Sequence, residues 1–543
     1  MKGVEDRISL INCNKKIYIY VLLILVFGML LYLPATFERD LHWEEEMKYV
    51  EVAKEMYDTG NWLVPHFGGE FYSHKPPFYF FFLNLNRFLF GNYSVTAMVI
   101  SSLIPGILIA LVTFYWGSIE FNKKYGFLSG LILMITFYFF ALSITVRMDH
   151  LMGFFIISAL FSFYLGYSSA TEKKNKYYYF VYVFMALATW IKGPAGFLIP
   201  LVVIPAFLFI QKDFTELKNL KLKRGILIFI TLILLWLVPA LIKGGKDYAY
   251  ELLIIQTFGR TVNSFAHQKA IYYYFKTFSF TFLPWSFFLY SAFIYCFRRR
   301  KELPQFIKFL LSWFITTFIL FSLISGKLDI YLLPIYPAGA LLVAYLFKEI
   351  AEKRVSKYYI IIPAVITFSI LALGSFFIPQ QLNGIELKRL LLPTISSWVL
   401  GGVIGLMFLF KRKYSYIPYL VIIIISVFLL NFSFSAAEPF SQSYTVKPAA
   451  IKLKELKTAG IKNIAAYKYD GDPEALGVYL DFWPEVINDQ ATFLKYLEQK
   501  QIALMVKVED WQNFNKQLIE KIEKEFEMFN FNQQYIIITD YGN

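Results

Sequence analysis

The feature that most constrains this chain is the recurrence of apolar runs about 20 residues long, because a helix of that length just spans the hydrocarbon layer of a membrane. The composition agrees, since 57% of the 543 residues are hydrophobic and only 17% are charged, unlike a water-soluble domain. We predict an all-α polytopic membrane protein with about thirteen transmembrane helices. The predicted spans begin near Tyr18, Val95, Phe127, Leu151, Tyr178, Gly196, Ile226, Phe278, Ile307, Tyr331, Tyr358, Leu391 and Ile417.

Clusters of Lys and Arg lie on alternate connections between these runs and indicate their orientation. They occur at 15–16, 123–124, 173–176, 221–224, 298–301, 353–357 and 411–413. Because cytoplasmic loops are enriched in Lys and Arg, we place these connections and the N-terminus in the cytoplasm. The first loop (40–92), the second large loop (243–277) and the C-terminal tail then face outward. Most of the net charge of +14 is this topological signal, so no nucleic-acid partner is implied.

The first loop opens with a helical pattern that carries adjacent carboxylates. Apolar residues recur at helical spacing from Met47 to Tyr57, which predicts an amphipathic helix from Glu44 to Tyr57 lying along the membrane surface. Glu45 and Glu46 fall in its first turn, where the helix dipole favours the ionised carboxylate. On the residues alone, these acids either serve a reaction or merely complement the helix end.

Farther along the first loop, His74 and Lys75 directly precede Pro76 and Pro77. Prolines start a helix well, and the aromatic stretch 78–90 that follows suits the membrane interface. Lys75, close to the exposed backbone donors of a helix start, could bind a lipid phosphate. The alternative is a lysine whose stem lies in the interface while its ammonium reaches water.

Three further outer turns carry ionisable or phenolic groups. Asp149, close to Arg147, is predicted between the third and fourth spans, where such groups are usually paired or functional. Lys192 lies in the turn TWIKGPAG at 189–196, and Arg260 and His267 lie in the second large loop. The segment 325–337 reads SGKLDIYLLPIYP and supplies Lys327, Tyr331 and Tyr336. Each also has a plain alternative as a loop-closing ion pair or an interfacial anchor.

After residue 437 the composition changes, and helical and strand patterns alternate. We predict a membrane domain over 1–437 and a small α/β domain over 438–543, large enough for one core. Predicted helices cover 447–458, 489–500 and 511–526, and predicted strands cover 464–468, 502–508 and 535–539. The α/β domain carries no nucleotide-binding glycine loop, metal spacing or nucleophile motif, so we interpret it as a lid or scaffold.

Three of these segments resemble a family of C-type membrane glycosyltransferases, that of the lipid A aminoarabinose transferase and related protein mannosyltransferases. They are EEMKY at 45–49, YSHKPP at 72–77 and the segment at 325–337. The family usually has Asp where this chain has Glu45, and often an acid where it has His74. The resemblance implies that family's fold, with interfacial helices in addition to the spans.

The resemblance also implies roles for the candidate residues. The first acid of the family motif is its proposed catalytic residue and matches Glu45, with Glu46 as second choice and Asp149 as a further catalytic candidate. A metal between the two outer loops, zinc here, would take His74 and His267 as ligands. The residues expected to bind the phosphate of the lipid donor are Lys75, Arg260, Lys327, Tyr331, Tyr336 and Lys192.

The function implied is transfer of a sugar from a polyprenyl (undecaprenyl) phosphate to an acceptor at the outer face of a bacterial inner membrane, with inversion at the anomeric carbon. Aminoarabinose transfer to lipid A or lipopolysaccharide by a monomer is the favoured form, and protein O-mannosylation is the alternative within the family. A lipid-linked sugar transporter or flippase is the alternative from another class, as is a polysaccharide-assembly protein that binds prenyl phosphate without chemistry.

Overall fold

A computed structural model describes residues 7–8, 16–37, 39–41, 44–169, 173–259, 268–381, 387–469, 471–531 and 534–541. The membrane part is helical, and the two sheets lie in the first loop and the C-terminal domain. The predicted fold class is confirmed.

Eight helical segments among the described residues are long and apolar enough to cross a membrane, and ten if each of two bent pairs is one span. The pairs Lys123–Met134 with Phe137–Ser143 and Tyr273–Thr281 with Ser286–Arg298 bend by 69° and 117°. The eight are Lys16–Thr36, Val95–Glu120, Asp149–Ser168, Leu222–Gln256, Gln305–Leu323, Asp329–Ala351, Pro393–Phe410 and Tyr414–Tyr444.

A helix lies at every one of the thirteen predicted starts, and three of these helices are additional to the ten spans just counted among the described residues. Two of the three are apolar helices, Ala195–Gln211 with 17 residues and Tyr358–Gln381 with 24. The Lys173–Lys192 helix has three lysines in its first four residues and one at its end, which shortens its apolar part. Counting apolar runs does not reveal bends or polar ends.

By contacts, the chain divides into two compact units. Unit 1 comprises the described residues of Met1–Ala35, Ser73–Tyr79 and Ser101–Ala436. Its core is aromatic, with the buried Trp116 stacked on Trp313 at 5.8 Å between ring centroids. A Cβ added to Gly117 would lie 2.9 Å from the Cα of Gly126, so the absence of a side chain lets two helices approach closely.

Unit 2 comprises the described residues of Thr36–Tyr72, Phe80–Ile100 and Ala437–Asn543. Most of the first loop thus belongs with the C-terminal domain. The predicted amphipathic helix is Glu44–Thr59 and ends at Gly60, whose φ is +69°. A two-residue hairpin of β1 (His66–Phe67) and β2 (Glu70–Phe71) follows, and its turn residues Gly68 and Gly69 both have positive φ.

The C-terminal sheet has five strands in the order β4-β3-β5-β7-β6. Strands β4, β3 and β5 are parallel, whereas β7 pairs antiparallel with both β5 and β6. Fully buried side chains such as Phe493, Leu504 and Ile538 form its core. The strands are β3 (Asn463–Tyr467), β4 (Glu485–Ile487), β5 (Ile502–Lys507), β6 (Glu527–Phe531) and β7 (Tyr535–Asp540).

Helices Lys447–Thr458 and Gln490–Leu497 pack against this sheet, and Ala437–Tyr444 precedes them at the end of the last membrane-spanning segment. The single helix predicted over 511–526 was wrong, because the structure has two helices, Val508–Gln512 and Lys516–Glu525. The side chain of Asn515 accepts a hydrogen bond from the Leu518 amide at 2.8 Å and so starts a new helix.

Candidate active site

The Glu44–Thr59 helix presents the candidate acids of the first loop. It buries the predicted apolar face, since Met47, Val50, Ala53 and Met56 are each at most 3% exposed. That packing fixes the rotation of the helix within unit 2. The carboxylates of its first turn therefore have defined and different surroundings.

Glu46 is engaged in a buried ion pair. Its two carboxylate oxygens accept hydrogen bonds from Nη1 and Nη2 of Arg39 at 2.9 and 2.8 Å, and the side chains of Arg39 and Glu46 are 4% and 1% exposed. Such a bidentate pair is both strong and geometrically specific. The geometry thus gives Glu46 a structural task, and it identifies Arg39, which sequence reasoning missed.

The segment around Arg39 is held by the C-terminal part of unit 2. Lys447 pairs with Asp40 at 2.6 Å, and the hydroxyl of Tyr479 donates to the carbonyl of Leu41 at 2.7 Å. The segment that leads into the Glu44–Thr59 helix is therefore held in place by residues some 400 positions away along the chain. An arginine seven residues before the acid was the only local signal of this arrangement.

Glu45, one position before Glu46, is half-buried and keeps part of its surface accessible. Lys48 lies beside it, 3.6 Å from Glu44 and in an ion pair with Asp472. Burial lowers the pKa of Lys48, but the hydrogen bond that its ammonium donates to Asp472 and the charges of Glu45, Asp472 and Glu44 outweigh this and raise the pKa overall. Lys48 thus remains a cation next to Glu45.

The His-Lys-Pro-Pro turn is fastened within unit 1. Phe78 packs edge-on against Trp190 at 5.3 Å between ring centroids, and the Tyr79 hydroxyl lies 2.9 Å from Oγ of Ser101. Lys75 is half-buried and His74 is exposed. Since Trp190 precedes Lys192 by two residues, the turn that carries Lys75 lies beside the end of the helix that carries Lys192.

Asp149, Lys192 and Arg147 form an ionic cluster in the same unit, with Asp149 buried and the two cations half-buried. The carboxylate of Asp149, 1% exposed, pairs with the Lys192 ammonium and with Nε of Arg147 at 3.4 Å. Asp149 is the first residue of the Asp149–Ser168 helix, where the dipole also favours a negative charge. The structure thereby joins two residues that the sequence analysis had proposed separately.

This cluster carries two cations and one anion and lies within reach of neighbouring candidates. The Lys192 ammonium lies 5.4 Å from the ring centroid of Tyr331, and the charges of Arg147 and Asp149 act on the hydroxyl of Tyr79. Burial raises the pKa of that hydroxyl, so it stays protonated. A net positive charge remains to attract an anion.

The three candidate residues of segment 325–337, Lys327, Tyr331 and Tyr336, have different surroundings. Lys327 is 2% exposed and its ammonium donates to the backbone carbonyls of Lys269, at 3.1 Å, and Ile324. Burial lowers the pKa of this ammonium. In this structure Lys327 therefore joins the end of the second large loop to its own segment.

The two tyrosines of this segment also differ. Tyr331 is half-buried beside Lys192, whereas Tyr336 is fully buried with its ring edge-on to Phe278 and Phe282 at 5.7 and 5.3 Å. The structure also shows a pair that the sequence did not predict. The hydroxyl of Tyr273 donates a hydrogen bond to the carboxylate of Asp329 at 3.2 Å.

Arg260 and His267 lie outside the described residues, so the predicted zinc pair of His74 and His267 has only one described member. Within the part of the chain that the structure describes, no group of three His, Cys, Asp or Glu side chains is placed to hold a metal ion. His74 with its described neighbours does not make a zinc site, which normally takes at least three protein ligands. No chemical step is assigned to a metal.

Comparison with known sequences supports the resemblance seen in the motifs. Residues 74–242 match the family described as dolichyl-phosphate-mannose-protein mannosyltransferase. The chain is 27% identical over 413 residues, 72% of each protein, to undecaprenyl phosphate-alpha-4-amino-4-deoxy-L-arabinose arabinosyl transferase 2 of Proteus mirabilis. It is 25% identical over 395 residues to the arabinosyl transferase of Aeromonas salmonicida, covering 70% of this chain and 71% of that protein.

Solved structures show the same fold. ArnT from Cupriavidus metallidurans bound to undecaprenyl phosphate superposes with a TM-score of 0.73 and 15% identity, over 97% of this chain and 98% of that one. The Archaeoglobus fulgidus oligosaccharyltransferase in complex with Zn and sulfate superposes with a TM-score of 0.52 and 12% identity, over 90% and 68%. The chain is thus a multi-pass membrane protein with the fold of these solved structures, similar in sequence to the arabinosyl transferases and, over residues 74–242, to the dolichyl-phosphate-mannose-protein mannosyltransferases.

Proposed function

We propose that this protein transfers a sugar from a polyprenyl-phosphate donor to an acceptor at the outer face of the bacterial inner membrane. The observation that carries the proposal is the Asp149–Lys192–Arg147 cluster of net charge +1 beside the Lys75 turn. A lipid-linked sugar leaves behind a lipid phosphate with additional negative charge. Cations placed in advance where that charge develops lower the barrier to transfer.

In the proposed reaction, the bond between the anomeric carbon and the phosphate oxygen breaks as the acceptor oxygen bonds to that carbon. Attack from the face opposite the phosphate inverts the anomeric centre. Glu45 orients the acceptor hydroxyl and takes its proton, while Lys75 and Lys192 stabilise the leaving phosphate. With an acceptor phosphate, which is already anionic, Glu45 would chiefly position groups. Asp149 holds Lys192 and Arg147 in place, so we now assign it a positioning role.

An apolar groove in unit 1 supports a prenyl-linked donor. It has a volume of about 550 Å³ and lies between the bent pair ending at Arg298 and the Gln305–Leu323 helix. Its walls are mostly aromatic, including Phe278, Phe314 and Phe318. At one end the hydroxyl of Tyr274 donates to the carbonyl of Leu328 at 3.0 Å. Such a surface suits an unsaturated isoprenoid chain.

The relatives favour aminoarabinose as the sugar and lipid A as the acceptor, since arabinosyl transferases match over about 70% of the chain. The family that residues 74–242 match favours protein O-mannosylation as the alternative. Both reactions use the same lipid-phosphate chemistry. A flippase that carries the lipid-linked sugar across the bilayer is the candidate from another class.

The test is a discharge assay with the purified protein in lipid nanodiscs. Radiolabelled polyprenyl-phosphate sugars are offered with lipid A, a Ser/Thr-rich peptide or total envelope as acceptor. We expect wild type to label one acceptor, and Lys75→Ala and Lys192→Met to lose most of that activity. Lys516→Met, at a side chain that is 90% exposed, is the matched control.

Label that stays on the prenyl lipid with every sugar and acceptor would refute the transferase. In that case, reconstitution in sealed vesicles shows whether the lipid-linked sugar crosses the bilayer, as a flippase requires. Labelling of a single cysteine introduced at position 516, from one side of intact cells, tests the outward placement of the C-terminal domain.

A further inference from the structure

A second cavity lies within unit 2 at the start of the Glu44–Thr59 helix. It has a volume of about 170 Å³, and its apolar wall is formed by Met47 and Val446, each 3% exposed. The remaining lining is polar or aromatic: Glu44, Tyr444, Tyr469, Lys507 and Tyr535. This is an unusual set to line a cavity that serves only packing.

The sheet topology explains why these residues meet. Strands β3 and β5 are parallel, so their carboxyl ends lie at one edge of the sheet. Tyr469 follows β3, Lys507 ends β5, and Tyr535 begins β7 directly opposite Lys507 in the register. Binding sites of α/β sheets commonly form outside the carboxyl ends of parallel strands. The cavity is in that position.

Gly471 keeps this cavity open. A Cβ at that position would lie 3.1 Å from Cε1 of Tyr469, which is tighter than most such contacts, and 3.4 Å from Cγ of Glu44, which is ordinary van der Waals contact. The backbone here thus runs close to two of the side chains that line the cavity. A larger residue would displace one of the walls.

We propose that this cavity binds a phosphorylated sugar unit of the acceptor, an inference that rests on the proposed transferase function. Lys507 supplies the positive charge for the phosphate. Tyrosine rings and hydroxyls suit the faces and hydroxyls of a sugar, and Glu44 accepts hydrogen bonds from sugar hydroxyls. Because Glu44 directly precedes Glu45, a sugar bound here would reach the same helical turn as the candidate base.

The experiment measures binding of two glycolipids to the full-length protein in nanodiscs without donor. The probes are lipid A and its phosphatase-treated form, which differ only in their phosphates. We expect wild type to bind the phosphorylated form about tenfold more tightly, the effect of one charge-assisted hydrogen bond. Lys507→Met should lose that preference and Lys507→Arg should keep it, while Lys516→Met is the control.

Two further measurements guard against a merely damaged fold. Gly471→Leu keeps every charge but fills the cavity, and it should weaken binding of both glycolipids. In the discharge assay, Lys507→Met should raise the KM for the acceptor about tenfold and leave the donor KM and kcat unchanged. The melting temperature of each variant identifies one that has simply unfolded.

Equal affinity of wild type and Lys507→Met for lipid A, or an equal loss in Lys516→Met, would overturn the inference. Failure of the proposed function looks different. If wild type transfers no sugar but binds the phosphorylated glycolipid more tightly through Lys507, the binding site is supported and the transferase function is refuted. If wild type transfers sugar and Lys507→Met leaves the acceptor KM unchanged, only the binding site is refuted.

Discussion

Two adjacent carboxylates, Glu45 and Glu46, should respond in opposite ways to the same isosteric change. Glu46→Gln removes one charge of a pair whose members are 1% and 4% exposed and leaves the Arg39 guanidinium without its counter-charge. Breaking a buried ion pair on one side costs about 3–5 kcal/mol. We expect about 3 kcal/mol, because the glutamine keeps one acceptor oxygen for one of the two N–H groups.

That loss corresponds to a melting temperature lower by about 6–12 °C for a unit of this size. Glu45→Gln, at a half-buried side chain, should change stability by less than about 0.5 kcal/mol. It should instead slow transfer to a hydroxyl acceptor by about 10²–10⁴-fold, the usual contribution of a general base.

Two measurements are made on each variant. Thermal unfolding is monitored through the susceptibility of the C-terminal domain to proteolysis, and sugar discharge is measured well below the melting temperature. Glu455→Gln, at an exposed side chain of the same unit, is the matched control. The reasoning is refuted if Glu46→Gln melts like wild type while its turnover collapses, or if Glu45→Gln melts early and retains its rate.

Burial raises the pKa of Glu51 to about 7 from 4.5. The free energy of unfolding should therefore fall by roughly 3 kcal/mol as the pH rises through that interval. Glu51→Gln should abolish this pH dependence of the melting temperature and be more stable than wild type at pH 8. Lys192→Met should raise the donor KM about tenfold, whereas Asp149→Asn, which leaves two cations unbalanced, should lower both donor affinity and folded yield; equal effects of the two changes on yield would contradict this. Lys327→Met should increase the rate of backbone hydrogen exchange at residues 268–270, because the ammonium that binds the Lys269 carbonyl is lost. An unchanged exchange rate together with a raised donor KM would instead indicate that Lys327 binds the donor phosphate.

Periodicity predicted the elements whose burial is decided locally. The apolar positions Met47, Val50, Ala53 and Met56 recur every three or four residues, and all are buried in the Glu44–Thr59 helix. The helix Lys447–Thr458 was predicted with its observed bounds. Such patterns do not contain the break at Asn515 or the short strands β4 and β6, because a cap and a strand edge depend on single contacts.

The partners of charged residues were beyond sequence reasoning for a different reason. Lys48 pairs with Asp472 and Lys54 donates to the Gly477 carbonyl at 2.6 Å, both more than 400 positions away. The sequence predicted that Lys48 follows an acidic pair, but not which acid neutralises it. Similarly, Lys192 and Asp149 were proposed for different roles, and only the fold shows that they share one cluster.

The difference between Glu45 and Glu46 shows how a fold assigns chemistry to neighbouring identical residues. A base must be reached by the hydroxyl whose proton it takes, and the Glu46 carboxylate, 1% exposed and bonded through both oxygens to the Arg39 guanidinium, is enclosed. Glu45 stands one residue, or about 100° of helix, away from that pair. Its carboxylate keeps accessible surface, and the Lys48 cation lies nearby without enclosing it. Because Arg39, seven residues before Glu46, binds the Glu46 carboxylate, Glu45 is the member of the acidic pair that remains as the candidate base.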